Sequence, residues 1–294
     1  MKVIVMGGAG FIGTNLIKKL LKDGHEVSSV DNYSTGFKKN HQDGCTYYDY
    51  DLASKHTLGI YVDHDTYPSW RDNKYDLIFH VAALARIQPS LSDPVKAISN
   101  NFNSTLYLLE WARGNNTPVV FAGSSSFHHG LWGSPYAWSK HAGEQLCKLY
   151  SNVYDLPTTI CRFYNVYGPH QLESGTYATV IGIFEKQHRE ETPLTVTGDG
   201  LQRRDFTHVD DIVDGIVKCG EQIDKSNGKI FELGRGVNHS IIEITKMFGD
   251  VKVEYIPARL GEYDVTLADY SKARELLGWN PIRNLDEYIT GIKK

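Results

Sequence analysis

Short apolar runs and longer segments of helical periodicity alternate through the first half of the chain. The apolar runs predict strands over Lys2–Met6, Glu26–Val30, Asp76–Val81, Pro118–Ala122 and Thr158–Phe163. Several of them are almost continuously apolar, which is typical of parallel strands buried on both faces. Between the runs, helical spacing predicts helices over Phe11–Leu21, Pro94–Arg113 and Pro135–Tyr154. This alternation predicts right-handed strand–helix–strand units and therefore an α/β fold with a doubly wound parallel sheet.

Composition narrows the classes of function. The 294 residues are 41% hydrophobic and 22% charged, as in ordinary folded proteins. Lys+Arg 31 against Asp+Glu 35 leaves a net charge of −4, so we expect no surface for nucleic acid or an anionic membrane. An anionic substrate must then be bound by a few well-placed cations.

The N-terminus and the cysteines indicate the cellular compartment. The chain begins with a short strand-like run and no signal peptide, and no apolar run is long enough to span a membrane. We therefore expect a cytoplasmic protein without a membrane partner. The cysteines, Cys45, Cys147, Cys161 and Cys219, are widely spaced, which favours buried thiols over disulfides or a metal site. No metal is expected.

The glycine-rich segment GGAGFIG at residues 7–13 follows the first predicted strand and opens the first predicted helix. Its glycines allow a tight turn that brings backbone N–H groups and a helix N-terminus to a pyrophosphate, as in the Rossmann dinucleotide fingerprint. Asp31 ends the second strand, where a carboxylate binds both ribose hydroxyls and repels a 2′-phosphate. We therefore predict NAD rather than NADP as the cofactor. The alternative for Asp31 is a solvated turn aspartate.

Tyr136 and Lys140 form a second candidate site, since positions i and i+4 share one face of a helix. A tyrosine with a pKa near about 10 is a poor base at neutral pH. A neighbouring ammonium and the positive nicotinamide ring would lower that pKa and make a phenolate accessible. The serines at 124–126 follow a predicted strand and can supply a hydroxyl to the same substrate oxygen. The alternative is a half-buried tyrosine packed against a surface lysine, but the preceding dinucleotide fingerprint favours catalysis.

The character of the chain changes after Asn165, where Gly and Pro punctuate short strands and scattered helices. We expect residues 1–165 to form an NAD-binding Rossmann domain. Residues 166–294 should form mainly a smaller substrate-binding region, with some segments returning to the first domain. The polar stretch Tyr33–Gly44 is predicted to be a surface loop.

The ordered motifs resemble the extended short-chain dehydrogenase/reductase family, in its branch of sugar-nucleotide epimerases and dehydratases, over nearly the whole chain. The matching motifs are GGAGFIG at 7–13, VDNYSTG at 30–36, Asp51-Leu52, HVAA at 80–83, Asn101, YAWSK at 136–140, RFYNVYGP at 162–169, GDG at 198–200, RDF at 204–206, VDD at 209–211, RLGE at 259–262 and LGWNP at 277–281.

The resemblance implies a role for each matching position. The implied NAD-binding residues are Gly7, Gly10, Phe11, Ile12, Gly13, Asp31, Asn32, Asp51, Leu52, Ala82, Ala83, Asn101, Tyr136 and Lys140. The implied catalytic residues are Ser125, Tyr136 and Lys140, and the implied substrate-binding residues are Ser125, Ser126, Tyr136, Asn165, Arg204 and Arg259. Asn165 and the two arginines would hold the diphosphate of a nucleotide sugar, because guanidinium groups match phosphate geometry. Arg203 competes with Arg204 for this role, and Arg204 could instead pair with Asp205 or Asp210.

The residues after the catalytic hydroxyl indicate the reaction. Dehydratases of this branch carry Asp-Glu there and decarboxylases carry Glu, whereas this chain has Ser126 and Phe127. We therefore expect an NAD-dependent epimerase, acting at C4 of a UDP-hexose through a transient 4-keto intermediate. The alternatives are a dehydratase, decarboxylase or reductase on the same scaffold, or a non-catalytic protein that senses dinucleotides. The family also implies a homodimer through helices Pro94–Arg113 and Pro135–Tyr154.

Three features depart from the family pattern or stay open. The usual Val-Tyr-Gly after the serines is replaced by residues that end in His128-His129-Gly130, and the stretch to Tyr136 is short. Alignment to Gly130 selects Ser125 as the catalytic hydroxyl, with Ser124 and Ser126 as alternatives. The two histidines either touch the substrate or are structural. Thr266 occupies the position at which a bulky family residue crowds the sugar's C2 substituent, so N-acetylated hexoses are expected to be admitted.

Overall fold

Seven parallel strands form the central sheet of the computed structural model, which describes residues 1–58 and 69–292 apart from the side chains of Leu58 and His129. The strands, in chain order, are β1 Lys2–Met6, β2 Glu26–Asp31, β3 Cys45–Asp49, β4 Leu77–His80, β5 Val119–Ser124, β6 Thr158–Phe163 and, after an excursion, β11 Ile230–Leu233. Their order across the sheet is β3-β2-β1-β4-β5-β6-β11, and every neighbouring pair is parallel. The predicted doubly wound α/β fold is confirmed.

The remaining strands form three small two-stranded sheets within the described ranges. They are β7 Val166–Tyr167 with β10 Thr207–His208, β8 Leu194–Thr197 with β13 Val253–Ile256, and β9 Arg203–Asp205 with β12 Asn238–Ser240. The helices are α1 Phe11–Lys22, α2 Ile87–Ser92, α3 Pro94–Asn115, α4 Pro135–Tyr154, α5 Val180–Arg189, α6 Val209–Glu221, α7 Ile223–Ser226, α8 Ile241–Met247, α9 Ser271–Leu277 and α10 Leu285–Ile292. None of the helices described combines the length and apolar character needed to cross a bilayer.

The two long helices begin where local chemistry favours it. Pro94 and Pro135 occupy the first helical turn, where the missing N–H of proline costs nothing. The carboxylate of Asp93 accepts the Lys96 N–H at 3.0 Å, and the Ser134 hydroxyl accepts the Ala137 N–H at 3.1 Å. Both side chains are therefore N-caps.

Each face of the sheet is covered by its own helices. On one face, α1, α6 and α9 bury residues such as Leu16, Ile216 and Leu277. On the other face, α3 and α4 bury Leu109 and Cys147, among others. Because both faces are covered, the central strands β1 and β4 are apolar over most of their length.

Asp205 fastens three segments of the second half of the chain together. This fully buried carboxylate accepts the N–H groups of Arg235 and Gly236, both at 2.8 Å, and of Ala268 at 3.0 Å. Burial raises the pKa of Asp205, whereas these hydrogen bonds lower it. The end of β9 is therefore tied to the chain after β11 and to the segment before α9.

Two parts of the sequence-based prediction differ from the structure in detail. β3 was not predicted, because Cys45–Asp49 alternates polar and aromatic residues at the half-exposed edge of the sheet. The stretch Tyr33–Gly44 is more than a surface loop, since the side-chain amide of Asn40 donates to the Ala9 carbonyl at 2.9 Å. Asn40 is buried. The loop therefore supports the glycine-rich turn.

A buried ion pair joins α4 to β6. The Arg162 guanidinium donates to both carboxylate oxygens of Glu144, with Nη2 at 2.7 Å from Oε2. Both side chains are almost fully buried. Loss of one partner from such a pair leaves an uncompensated charge in the interior.

We expect Glu144→Ala to lower the free energy of unfolding by about 3–5 kcal/mol, the usual effect of breaking a buried pair. Glu173→Ala is the matched control, because it breaks the exposed Arg189–Glu173 pair and should cost less than about 1 kcal/mol. Denaturant unfolding measures both values. Equal effects would contradict the importance of burial for the Glu144 pair.

Candidate active site

One large cavity lies at the carboxyl edge of the central sheet. Its volume is about 490 Å³, and both halves of the chain line it. The walls include residues at or just beyond the ends of five strands, namely Gly7, Asp31, Val81, Ser124 and Asn165. A crevice beyond the strand ends, where the strand order reverses, is the usual ligand site of an open parallel sheet.

The glycines of the turn after β1 meet different steric demands. Gly7 has φ +88, and a Cβ there would lie 2.7 Å from the Ala82 Cα. A Cβ on Gly13 would lie 2.1 Å from the Gly7 carbonyl oxygen. A Cβ on Gly10 would meet only that same oxygen, at 3.4 Å, and would otherwise enter the cavity. Gly7 and Gly13 therefore serve the packing of the turn, whereas Gly10 keeps space for a ligand, as a pyrophosphate site requires.

Asp31 ends β2 at the same edge. Its carboxylate accepts the Ala9 N–H at 2.9 Å and the Tyr33 N–H at 2.8 Å, so its position is set by the turn it serves. Burial raises its pKa, while these two hydrogen bonds lower it. Asp31 lines the cavity, where it can accept hydrogen bonds from ribose hydroxyls.

The other predicted cofactor residues of the first half, with one exception, also line the cavity: Phe11, Ile12, Asn32, Asp51, Leu52, Ala82 and Ala83. The exception is Asn101, which is buried behind the wall. Its amide oxygen accepts the Leu84 N–H at 2.8 Å, and its amide nitrogen donates to the Ser139 hydroxyl at 3.0 Å. Asn101 therefore holds the loop after β4 against α4, and does not line the cavity.

Tyr136 and Lys140 both line the cavity from the first turns of α4. Burial raises the pKa of Tyr136, whereas a hydrogen bond with Ser124 and the positive charge of Arg86 lower it. Burial lowers the pKa of Lys140 to about 8, although the negative charge of Glu144 opposes this shift. Ser124 and Arg86 are thus groups that lower the Tyr136 pKa in this structure, and the predicted contribution of Lys140 together with the nicotinamide ring stays a prediction.

The three serines after β5 have different positions. Ser124 is the partner of the Tyr136 phenol, and its own hydroxyl accepts the Ser126 hydroxyl at 2.9 Å. All three serines line the cavity. The choice of Ser125 as the catalytic hydroxyl stays a prediction, and of its two alternatives Ser124 is the one that contacts the phenol.

The opposite wall carries the predicted phosphate-binding residues Asn165, Arg204 and Arg259. The Asn165 amide donates to the Asp205 carbonyl and to the Thr266 hydroxyl, each at 3.1 Å. Burial lowers the pKa of Arg204, and the nearby Glu262 partly restores it. Arg259, by contrast, is exposed at the cavity mouth.

The sequence left two alternatives for Arg204: that Arg203 binds the phosphates in its place, and that Arg204 pairs with Asp205 or Asp210. Arg203 pairs with Glu243, with Nη1 at 3.0 Å from Oε1, and its Nε donates to Asn238, so it is directed away from the phosphate role. Asp210 pairs with Arg283 at 3.3 Å, and Asp205 binds backbone N–H groups instead of Arg204.

Of the two histidines after the serines, His128 has a partner within the protein. His128 contacts the carboxylate of Glu232 on β11 and does not line the cavity. The side chain of His129 lies outside the described part of the structure. Sequence reasoning missed Arg86, Tyr177 and Tyr263, which all line the cavity. No local motif contains them, so no sequence signal could have found them.

The geometry above is that of a nucleotide-binding α/β enzyme with a half-buried tyrosine in the wall of its cavity, and comparisons with known proteins agree. The model of the NAD dependent epimerase/dehydratase family matches residues 3–234, so the chain belongs to that family. The family is NAD-dependent, so the expected cofactor, NAD, is confirmed.

Individual relatives are similar over nearly the whole chain. The UDP-glucose 4-epimerase of Mycolicibacterium smegmatis is 33% identical over 98% of this chain and 96% of its own. The UDP-N-acetyl-alpha-D-glucosaminuronate decarboxylase of Bacillus cytotoxicus is 31% identical over 83% of this chain and 78% of its own. The structure of Thermus thermophilus UDP-glucose 4-epimerase with NAD has a TM-score of 0.86 at 28% identity, covering 98% of this chain and 96% of that one. These relatives catalyse different reactions at similar identity to this chain. The comparisons therefore show an enzyme that modifies a nucleotide sugar, without fixing the reaction.

We expect Gly10→Ala to weaken NAD binding by about tenfold to a hundredfold, since the added methyl would displace a diphosphate from one or two backbone N–H groups. The fold should survive, because the methyl meets one neighbouring atom at 3.4 Å. Titration with NAD, alongside thermal unfolding, measures both effects.

Gly13→Ala is the contrasting variant, because its methyl would lie 2.1 Å from the Gly7 carbonyl oxygen. It should lower the melting temperature as well as NAD affinity. Unchanged NAD affinity in Gly10→Ala would show that the diphosphate lies elsewhere.

Proposed function

We propose that this protein is an NAD-dependent epimerase that inverts C4 of a UDP-hexose. The observation that carries the proposal is the makeup of the reaction centre. Tyr136 lies in a cavity wall beside Ser124, and the two residues that follow Ser125 are not acids. Loss of water or of carbon dioxide needs a further acid or base at the sugar, whereas epimerisation needs proton transfer at one oxygen. Among the residues that the structure describes, the acids that line the cavity are Asp31 and Asp51 at the cofactor end and Glu262 beside Arg204.

In the proposed mechanism, the Tyr136 phenolate takes the proton from the C4 hydroxyl, and a serine hydroxyl, Ser125 or Ser124, donates a hydrogen bond to the same oxygen. Lys140 would hold the nicotinamide ribose. When bound, NAD would supply a reversible hydride acceptor for C4, so that oxidation to the ketone and reduction on its opposite face need no external reductant. Tyr136 returns the proton to the oxygen when the ketone is reduced.

Retention of the 4-keto sugar is the second requirement. Asn165, Arg204 and Arg259 on the far wall would anchor the diphosphate while the sugar turns its other face to the nicotinamide. Anchoring keeps the ketone at high effective concentration between the two halves of the reaction. The residues after Asn165 would then serve mainly as the substrate-binding region, with β11 returning to the sheet.

Product analysis tests the reaction directly. Purified protein incubated with UDP-glucose, UDP-N-acetylglucosamine and the corresponding GDP- and dTDP-sugars should yield 4-epimers of the UDP-sugars without added cofactor. Acceptance of the N-acetyl sugar would agree with the small Thr266. Stoichiometric consumption of NAD(P)H would indicate a reductase, and no turnover of any nucleotide sugar would revive a dinucleotide-sensing role.

Tyr136→Phe should cut turnover by about 10²–10⁴-fold, the usual contribution of general acid–base catalysis, while NAD and substrate still bind. Because burial raises the Tyr136 pKa, the wild-type rate should rise with pH as the phenolate forms, and the variant should lose this rise. Steady-state rates across pH, with titration of both ligands, measure these effects. Deuterium at C4 should stay with the sugar. Near-normal turnover in the variant, or exchange of the label with water, would exclude the mechanism.

We also infer a homodimer formed through α3 and α4. On α4, Leu149 and Val153 lie four residues apart on one face and are 49% and 59% exposed. Phe102 on α3 and Trp138 on α4 contact each other at a ring distance of 6.3 Å and are half-buried. An apolar stripe on two adjacent helices is typical of a surface that a second subunit covers.

Light scattering at micromolar concentration should give the mass of a dimer. The double substitution Leu149→Glu, Val153→Glu should give a monomer, because it would bury charge in the interface. Val237→Glu is the matched control, since Val237 is 50% exposed away from these helices and its substitution should leave the dimer intact. A monomeric wild-type protein would reject the inference.

A further inference from the structure

Phe127, the residue directly after the three serines, packs outside the cavity that the serines line. Its ring lies on the guanidinium of Arg162, with the Arg162 Cζ 3.5 Å from the ring centroid. The ring of His141 on α4 also stacks on Phe127, at a centroid distance of 5.4 Å and an angle of 25° between the planes. A guanidinium on an aromatic face is attractive, and more so away from water. Phe127 is therefore attached to β6 and α4 behind the serine turn.

Arg162 is itself held by α4. Within the buried ion pair, its Nε lies 3.1 and 3.2 Å from the two carboxylate oxygens of Glu144, and its Nη2 lies 2.7 Å from Oε2. Glu144 is one helical turn beyond Lys140, which is one turn beyond Tyr136, so the three side chains follow one side of α4. One guanidinium thus joins the residue after the serines to the side of the helix that carries Tyr136.

The glycine before the serines lets this ion pair pack directly against the end of β5. A Cβ on Gly123 would lie 2.7 Å from Oε1 of Glu144 and 3.1 Å from Cγ of Arg162. Gly123 precedes Ser124 without an intervening residue, so the serine turn begins where the ion pair touches the backbone. A shift of the pair would therefore move the serines.

The hydrogen bonds inside the turn determine which contact Ser124 can make. Its oxygen accepts the Ser126 N–H at 3.2 Å and the Ser126 hydroxyl at 2.9 Å. A serine hydroxyl has two lone pairs and one proton, so the proton of Ser124 remains for a further acceptor. Burial raises the pKa of Tyr136, and its hydrogen bond with Ser124 lowers it, as a donor to a phenolate does. The shape of the turn thus directs the Ser124 proton to the Tyr136 oxygen.

A second contact attaches the outer part of the turn. His128 contacts Glu232 on β11, and Glu232 also accepts the Tyr164 hydroxyl at 2.7 Å and the Asp269 N–H at 2.9 Å. This contact does not involve Phe127. Loss of the Phe127 ring should therefore loosen the serines without detaching the whole turn.

We propose that Phe127 is a positioning residue for proton transfer, because its contact with Arg162 holds the serine turn in register with Tyr136. This inference rests on the proposed function for the role of Tyr136 as the base. Phe127 does not line the cavity, so its loss should leave NAD and substrate binding intact while the hydroxyl beside the phenol moves. The effect should fall on turnover and its pH dependence.

Phe127→Leu removes the ring and keeps an apolar side chain. Its kcat at neutral pH should fall by about tenfold, and the rise of kcat with pH should move up by about one pH unit, because a weakened hydrogen bond leaves less phenolate. KM and the affinity for NAD should stay near the wild-type values. Phe127→Tyr keeps the aromatic face and should restore both the rate and the pH profile. Steady-state rates across pH, with the UDP-sugar on which the wild type is most active, measure these effects.

Phe248→Leu is the matched control. Phe248 is a buried ring of the second region that packs against Phe184 and His188 and does not line the cavity. The substitution should lower the melting temperature at least as much as Phe127→Leu does, yet leave the pH profile unchanged. An equal shift of the profile in this control would mean that general loss of stability causes it, and would overturn the positioning role.

Three other outcomes would overturn the proposal. The first is an unchanged rate and pH profile in Phe127→Leu. The second is a loss of rate that Phe127→Tyr does not restore. The third is a rise in KM without a change in kcat, which would place Phe127 in ligand binding.

Titration of the phenol separates this inference from the proposed function. Each protein is compared with its Tyr136→Phe counterpart, so that the ultraviolet difference follows the Tyr136 phenolate without substrate. The pKa measured in this way should be higher in Phe127→Leu than in the wild type. A higher pKa in a protein that turns over no nucleotide sugar would support the positioning role and reject epimerisation. Epimerisation with an unchanged phenol pKa and an unchanged pH profile would do the reverse.

Discussion

The common direction of the strands is the constraint on which the rest of the structure depends. All neighbouring pairs of the central sheet are parallel, so every strand ends at the same edge. The chain first builds outward from β1 to β3 and then crosses to β4 on the other side, which leaves a crevice between the loops after β1 and β4. The glycine turn, Asp31 and the serines each follow or end a strand at that edge. Residues far apart in sequence therefore meet without any long-range side-chain recognition.

Burial sets the chemistry of the groups that meet there. It raises the pKa of Tyr136 and lowers that of Lys140 to about 8, so each group is biased toward its neutral form. It also holds His80, behind the site, as a neutral imidazole by lowering its pKa to about 3. Low local dielectric makes each remaining charge act more strongly on its neighbours. The positions of single cations such as Arg86 consequently matter more here than the net charge of the protein.

The sequence alone predicted the limits of those elements that have a strong local signal. β1, β6 and α4 have the predicted limits, because continuous apolar runs and a proline preceded by a capping serine mark them. β3 and the two-stranded sheets were missed, since their pairing depends on tertiary contacts rather than on hydrophobic period. In the site, the i, i+4 spacing of Tyr136 and Lys140 put both in the cavity. The contact between Ser124 and the phenol, and the place of Arg86, follow from how a strand end and α2 pack against α4, which no local pattern encodes.

Because β11 comes late in the chain, the central sheet can be completed only after much of the second region has been synthesised. β11 at Ile230–Leu233 pairs with β6 at Thr158–Phe163, yet residues 164–229 are made between them. While a ribosome is still producing that region, the outer edge of β6 presents unpaired N–H and C=O groups. A nascent chain that stalls before Ile230 therefore holds an open, apolar strand edge, which invites pairing with other chains. Completion of the nucleotide-binding half depends on residues that are translated after most of the opposite wall of the cavity.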